Sequence, residues 1–254
     1  MVTTASPVKT AVSVKHVTKR FPHGGHQLVA LRDVTLDVAR GEFVCIVGAS
    51  GCGKSTLLNL LAGLDRPTSG EVTVDGRVAL IFQEAALLPW LTAAGNVELA
   101  LELRGVDRAG RIALAHELLG RLHLDGFEKR MPHELSGGMK QRVALARALA
   151  QDADILLLDE PFASLDAITR DLLHEELLRL WTNTALTVVF VTHNPREAVR
   201  LGDRVVVFGS RPGRVAHELH IDLARPRHLD SPEIAVIASR ITDRLKEEMR
   251  VSVS

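Results

Sequence analysis

The chain has no tyrosine, only two tryptophans and two cysteines in 254 residues, and its 31 basic side chains balance 31 acidic ones. Each shortage excludes something. A formal net charge of zero offers no bulk basic field, so nucleic acid is not an expected partner. No apolar run approaches the roughly 18 to 20 residues that a membrane span needs. The longest candidates, residues 155–158 and 186–191, are short enough to be buried strands. Cys45 and Cys52 fall in or just before a glycine-rich segment, where a disulfide would block any ligand, so reduced thiols and a cytosolic setting are expected. Residues 1–11 lack the apolar centre of a signal peptide and are expected to form a flexible tail.

The length suits one large domain, or a domain with a subdomain, able to bury a substantial core. Residues 12–17 and 34–38 alternate apolar and polar positions, as half-buried antiparallel strands do. Residues 43–47 are continuously apolar, which predicts a central parallel strand covered on both faces. A helix is predicted over 56–61, and short strands over 71–75 and 79–82. Residues 98–104, 108–124 and 139–150 carry the three- and four-residue spacing of helices. Strands are predicted again at 155–158, 187–191 and 204–208, separated by helices over 170–181 and 195–201. The alternation implies a mostly parallel sheet with a helical insert. His116, His123 and His174 lie on helical stretches without ligand spacing and are expected at the surface.

Three segments carry chemistry. The first is Gly48, Ala49, Ser50, Gly51, Cys52, Gly53, Lys54, Ser55 and Thr56, a glycine loop between a predicted strand and a predicted helix. Its glycines let successive N–H groups face phosphates, and the helix start adds partial positive charge. Lys54 is placed to reach the β- and γ-phosphates, and the Ser55 hydroxyl to bind Mg²⁺. The second is an apolar strand ending in Asp159 and Glu160. The third is Leu135, Ser136, Gly137, Gly138, Met139, Lys140, Gln141 and Arg142, a second helix start suited to an anion. One phosphate cradle is already present, so the second wants a different nucleotide.

In chain order, the glycine loop, the Ser136 segment and the strand ending in Asp159 and Glu160 resemble the ATP-binding cassette (ABC) family, over roughly residues 12–215. The resemblance implies an α/β fold, with a P-loop NTPase (RecA-like) parallel-sheet core, an N-terminal antiparallel β subdomain and a helical insert. That cassette would span residues 12–215, with a helical subdomain at about 87–150 and a partly helical C-terminal extension over 216–254. The stretch after His193 is expected to be too short for a further regulatory domain. Asp159 would hold Mg²⁺ through water, and Glu160 would be the general base toward the attacking water. Gln83 matches the glutamine that touches Mg²⁺ or water, and His193 the histidine that contacts the γ-phosphate. Ser136, Gly137 and Gly138 would close on ATP held by a second copy, with Ser164, Leu165 and Asp166 crossing the dimer interface. Met139 stands where many members have glutamine. Phe21 is the candidate adenine-stacking ring, against the alternative of a core phenylalanine.

Leu87, Leu88 and Trp90 form an apolar cluster beside Gln83, either core or a groove for a partner helix. In the family this neighbourhood meets the membrane subunit. The segment LLPWLTAAGNVELAL, together with Ser210, Arg211, Pro212, Gly213, Arg214 and Val215, is similar to the nitrate, sulfonate and taurine importer branch. The short connection from Asp75 to Gln83 favours aliphatic-sulfonate import. The expected assembly is a homodimer of ATPase subunits on two integral membrane permease subunits, peripheral at the cytoplasmic face, served by a separate extracytoplasmic solute-binding protein. The alternative is a soluble ABC ATPase acting on ribosomes or DNA, though paired cassettes and long coiled-coil insertions are absent from this sequence. A metabolic P-loop kinase would leave Ser136, Gly137 and Gly138 unexplained.

Overall fold

The computed structural model describes residues 9–24, 26–163 and 165–251. It divides into two compact units, one formed by Met1–Gly76 with Thr184–Ser254 and the other by Arg77–Asn183.

The first unit opens with β1 (Thr10–His23) and β2 (His26–Ala39), paired antiparallel, with β4 (Ser69–Val74) on the other side of β1. β1 begins at Thr10, two residues ahead of the expected boundary. Val34, Leu36 and Val38 alternate inward along β2, the pattern of a half-buried strand. The parallel layer of this unit has β3 (Phe43–Gly48) between β7 (Thr187–Thr192) and β8 (Arg204–Phe208), and β9 (Val215–His220) closes it antiparallel to β8. Every residue of β3, β7 and β8 is buried, as strands covered on both faces require. The C-terminal extension is thus part strand, and after an irregular stretch over 221–231 it forms α7 (Pro232–Val251). Ile234, Ala238 and Ile241 recur at helical spacing and are buried, packing α7 on α6 (Pro195–Leu201).

Three arginines, Arg200, Arg204 and Arg227, are buried in this unit. Arg204 is paired with Glu42 at 2.8 Å and Glu218 at 2.5 Å. Arg227 meets no carboxylate within bonding distance among its hydrogen bonds but donates to the carbonyls of Val199, Gly202, Ile221 and Leu223 at 2.6–3.0 Å. Burial, reinforced by Arg225, pushes its pKa down to about 10.

The second unit contains the parallel pair β5 (Val78–Ile81) and β6 (Ile155–Asp159). Its helices are α2 (Ala93–Leu103), α3 (Arg108–Arg121), α4 (Gly137–Leu149) and α5 (Ala167–Asn183). The thirteen-residue α4 starts two residues earlier than periodicity suggests, because Ser136 caps it through the Met139 amide at 3.2 Å. His174 corrects an expectation. It is fully buried, with its ring edge-on to Phe162 at 5.5 Å, because residues 170, 173, 174 and 177 share one helical face and that face is inward.

Replacing Arg227 leaves the carbonyls of Val199, Gly202, Ile221 and Leu223 without this donor. Arg227→Ala is expected to lower unfolding free energy by about 3 kcal/mol, read as the shift in denaturant midpoint at constant slope. A midpoint unchanged within error would mean that those carbonyls find other donors.

Candidate functional site

The central strand β3 delivers the glycine loop, and α1 (Lys54–Leu61) carries it away. Gly53 caps α1 with φ of 101°, a left-handed conformation. A Cβ there would also stand 2.8 Å from the Ala30 carbonyl oxygen, so only glycine fits. Leu57, Leu58, Leu60 and Leu61 bury α1 and so fix its N-terminus. Lys54 is the first residue of α1, and although charged it is 5% exposed. Its Nζ donates to the carbonyls of Gly48 at 2.9 Å and Ala49 at 3.0 Å. Ser50 and Ser55 are exposed, Ala49 and Thr56 half-buried. Cys52 is a buried free thiol beside Lys54, and burial pushes its pKa up.

His193 follows β7, whose last residue Thr192 pairs with Val47 next to the glycine loop. Both therefore leave the same edge of a parallel layer. The Thr192 hydroxyl accepts from the Asn194 amide at 3.0 Å and donates to Glu197, and Asn194 caps α6. The imidazole is exposed on a turn fixed from both sides. Phe21 is half-buried in β1, with the Lys19 ammonium 4.8 Å from the ring centroid. Lys19 is itself held by Asp65 at 2.6 Å, so one face of the ring is occupied by a cation.

In the second unit, Ile81 pairs with Leu158, so Gln83 and the Asp159–Glu160 step leave β5 and β6 at one edge. Asp159 and Glu160 are half-buried. Glu160 has φ of 44°, a left-handed value that costs a side-chain residue strain, held by the buried Phe162 and by a bond from the Ala163 amide to its carbonyl. Ser136 and Gly137 are exposed at the start of α4, and Gly138 is half-buried there. The Ser136 hydroxyl accepts from Met139 and keeps its own proton for a donor role. Asp166 caps α5 through the Thr169 amide at 2.9 Å, and hydrogen bonds from Thr169 hold its carboxyl below the ordinary range. Ser164 lies outside the described residues.

Sequence reading passed over the residues that hold the segment after Gln83. Gln141 donates to the Gln83 carbonyl at 2.6 Å, and Arg147 to the carbonyls of Ala86 at 2.8 Å and Ala85 at 3.1 Å. The buried Asn96 accepts from the Leu88 amide at 2.8 Å and donates to the carbonyls of Leu88, Leu91 and Thr92. One helix, α4, thus starts at Ser136 and grips residues 83–86 along its length. Gln141 is the polar residue among the buried positions of α4, and that interruption of an apolar pattern was the available signal. Leu87 and Leu88 are half-buried, but Trp90 is 69% exposed, so it is not core. A groove of about 430 Å³ is lined by Leu88, Leu99, Ala100 and Leu103, with Arg104 and Arg147 among its polar residues.

A glycine loop between a buried parallel strand and a helix, with lysine and hydroxyl at its end, defines a P-loop ATPase. More narrowly, the chain belongs to the ABC transporter family, whose model matches residues 31–163. It is 45% identical to an uncharacterized ABC transporter ATP-binding protein of Methanocaldococcus jannaschii, over 97% of this chain and 95% of that protein. It is 48% identical to an aliphatic sulfonates import ATP-binding protein of Burkholderia cenocepacia, over 84% of this chain and 80% of the other. A nitrate import ATP-binding protein of a Synechocystis species shares 47% identity over 77% of each chain. Among solved structures, it is similar to a dimeric ATP-binding cassette in a post-hydrolysis state bound to ADP and Pi. That similarity has a TM-score of 0.78 and 37% identity, covering 84% of this chain and all of the other.

Removing the Arg147 guanidinium should loosen residues 83–88 without touching the glycine loop. In Arg147→Ala, hydrogen exchange at the Leu88 amide is expected to quicken roughly tenfold while MgADP affinity stays constant. Wild-type exchange at Leu88 would show that Asn96 alone holds the loop.

Proposed function

We propose that this ABC ATPase is the nucleotide-hydrolysing subunit of an importer for a small anionic solute of the aliphatic sulfonate, taurine or nitrate class. One observation carries the reading. The chain offers two separate anion-binding helix starts, at Lys54 and at Ser136, where a single nucleotide needs one cradle. A second copy supplies the other nucleotide, so two chains work as a homodimer with two shared sites. The dimeric cassette among the solved relatives, and the sulfonate and nitrate import proteins among the sequence relatives, support this.

Phe21 stacks on adenine with the ring face that Lys19 leaves open. The loop from Gly48 to Thr56 wraps the phosphates with its N–H groups, and the Lys54 ammonium neutralises them. Ser55, Asp159 and Gln83 offer the hard oxygen donors that Mg²⁺ takes beside phosphate. When bound, the ion offsets phosphate charge. Glu160 accepts the proton of the attacking water, and its strained backbone fixes the direction of the carboxylate. His193 donates to the γ-phosphate, and Ser136 with the amides of Gly137 and Gly138 closes over the partner copy's ATP. Asp166 belongs to the contact between copies.

No helix among the described residues is long and apolar enough to cross a membrane. The sulfonate and nitrate import proteins among the relatives support two integral permease subunits as partners, with this chain peripheral at the cytoplasmic face and a separate binding protein outside. The permease inserts a short helix at the groove lined by Leu88, Leu99 and Leu103, and Leu87 and Trp90 flank it. Trp90 is exposed on a loop that is nonetheless pinned by Asn96 and Arg147, a rigid apolar projection suited to a partner.

Glu160→Gln is expected to bind ATP normally, to lose at least about 100-fold in turnover, and to accumulate as a dimer with MgATP on size exclusion. Wild-type hydrolysis in that variant would remove Glu160 as the base. Trp90→Ala should hydrolyse ATP as the isolated wild-type chain does, yet recover much less permease on co-purification. An undiminished yield of complex would place the docking surface elsewhere.

A further inference from the structure

The turn between β8 and β9, residues 209–214, contributes no group to the phosphate loop itself. It is nevertheless built against the outer side of the glycine loop. The Gly213 amide donates to the Ala30 carbonyl at 2.9 Å and its carbonyl accepts from the Arg32 amide at 2.9 Å, seating the turn on β2. Gly213 allows a contact that no other residue could make, since a Cβ there would stand 2.1 Å from the Cys52 carbonyl oxygen. Arg214 reaches Glu248 of α7 at 2.7 Å, which ties the far side of the turn to the C-terminal helix. Between these anchors Arg211 extends over the loop, and its Nε donates to the Gly51 carbonyl at 3.2 Å. One of its terminal nitrogens lies 2.5 Å from where a Gly51 Cβ would be, so the absence of a side chain at Gly51 makes the approach possible.

The peptide unit from Gly51 to Cys52 is therefore held at both ends. Its carbonyl accepts from Arg211, and its amide donates to the Ala49 carbonyl at 3.3 Å. In a trans peptide the carbonyl and amide point opposite ways, so gripping one directs the other. Lys54 holds the Gly48 and Ala49 carbonyls by the same means from the α1 side. A loop that binds phosphate through its amides needs its carbonyls taken up elsewhere, and Arg211 supplies the donor for Gly51.

We infer that Arg211 is a positioning residue for nucleotide binding, bracing the phosphate loop from outside through the Gly51 carbonyl. This rests on the reading of residues 48–56 as a nucleotide site. The brace acts on a conformation needed equally before and after hydrolysis, so its loss weakens binding more than turnover.

The test measures MgADP affinity by calorimetry, and steady-state ATP hydrolysis, in the full chain and in Arg211→Ala and Arg211→Lys. Arg211→Ala is expected to weaken MgADP binding roughly fivefold to tenfold and to raise KM for ATP in parallel, with kcat within about twofold. Arg211→Lys keeps a donor on a flexible stem and should recover part of that loss. Arg211 is exposed, so both variants are expected to melt with the wild type. Affinity within twofold of wild type in Arg211→Ala would overturn the brace, as would a fall in kcat with affinity unchanged. Lys54→Ala separates the two readings. If the wild type binds MgADP no better than Lys54→Ala, the nucleotide site itself is wrong; if only Arg211→Ala matches the wild type, the brace alone fails.

Discussion

A loop that binds a polyanion through its backbone must turn its carbonyls away and give each one a partner. Most of the first unit is arranged around that requirement. The continuous burial of β3, between β7 and β8, makes the start of the loop a rigid point. The apolar seat of α1 makes its end another. Between them Lys54 takes two carbonyls and Arg211 a third, while Gly53 and Gly213 let neighbouring backbone come close enough to do so. Positive charge gathers beside the loop without any excess of basic residues in the chain as a whole.

The second unit answers a different demand, which is to keep the backbone after Gln83 and the start of α4 in fixed relation. A single helix, α4, does this. Its first residue presents the Ser136 end, while Gln141 and Arg147 on its body hold the backbone of residues 83–86. Asn96 holds the rest of the loop from α2. Strain at Glu160 belongs with this economy, since a carboxylate on a strained, well-held backbone has few alternative directions.

Much of this was legible in the residues. The parallel strands at 43–48, 187–192 and 204–208 follow from their apolar runs, and the order of glycine loop, Ser136 segment and Asp159–Glu160 step points to the ATPase class from the residues alone. Three things were not legible. His174 sits on an inward helix face that its polarity disguised. The strand β9 is short and polar, and only its pairing with β8 makes it one. Arg211 and Gln141 act through backbone carbonyls remote in sequence, at separations of 160 and 58 residues, and no spacing rule reports such contacts.

Arginine gripping carbonyls is the recurring device of the chain. Arg227 holds four, and Arg142, Arg147 and Arg170 hold two each, at Leu122 and His123, Ala85 and Ala86, and Phe162 and Leu165. Arg225 and Arg104 take one apiece, at Leu201 and Ala150. Most of the segments so held are loops or helix ends, where backbone acceptors lack partners within their own element. A guanidinium suits the task because its five donors lie in one fixed plane and reach several acceptors at once, whereas an ammonium acts as a single compact point. The same property explains how a protein with 4% aromatic residues and a helical insert keeps its loops in place. Arg211 is then the member of that set whose carbonyl lies in the phosphate loop, so that a device for holding the fold also bears on how the nucleotide is held.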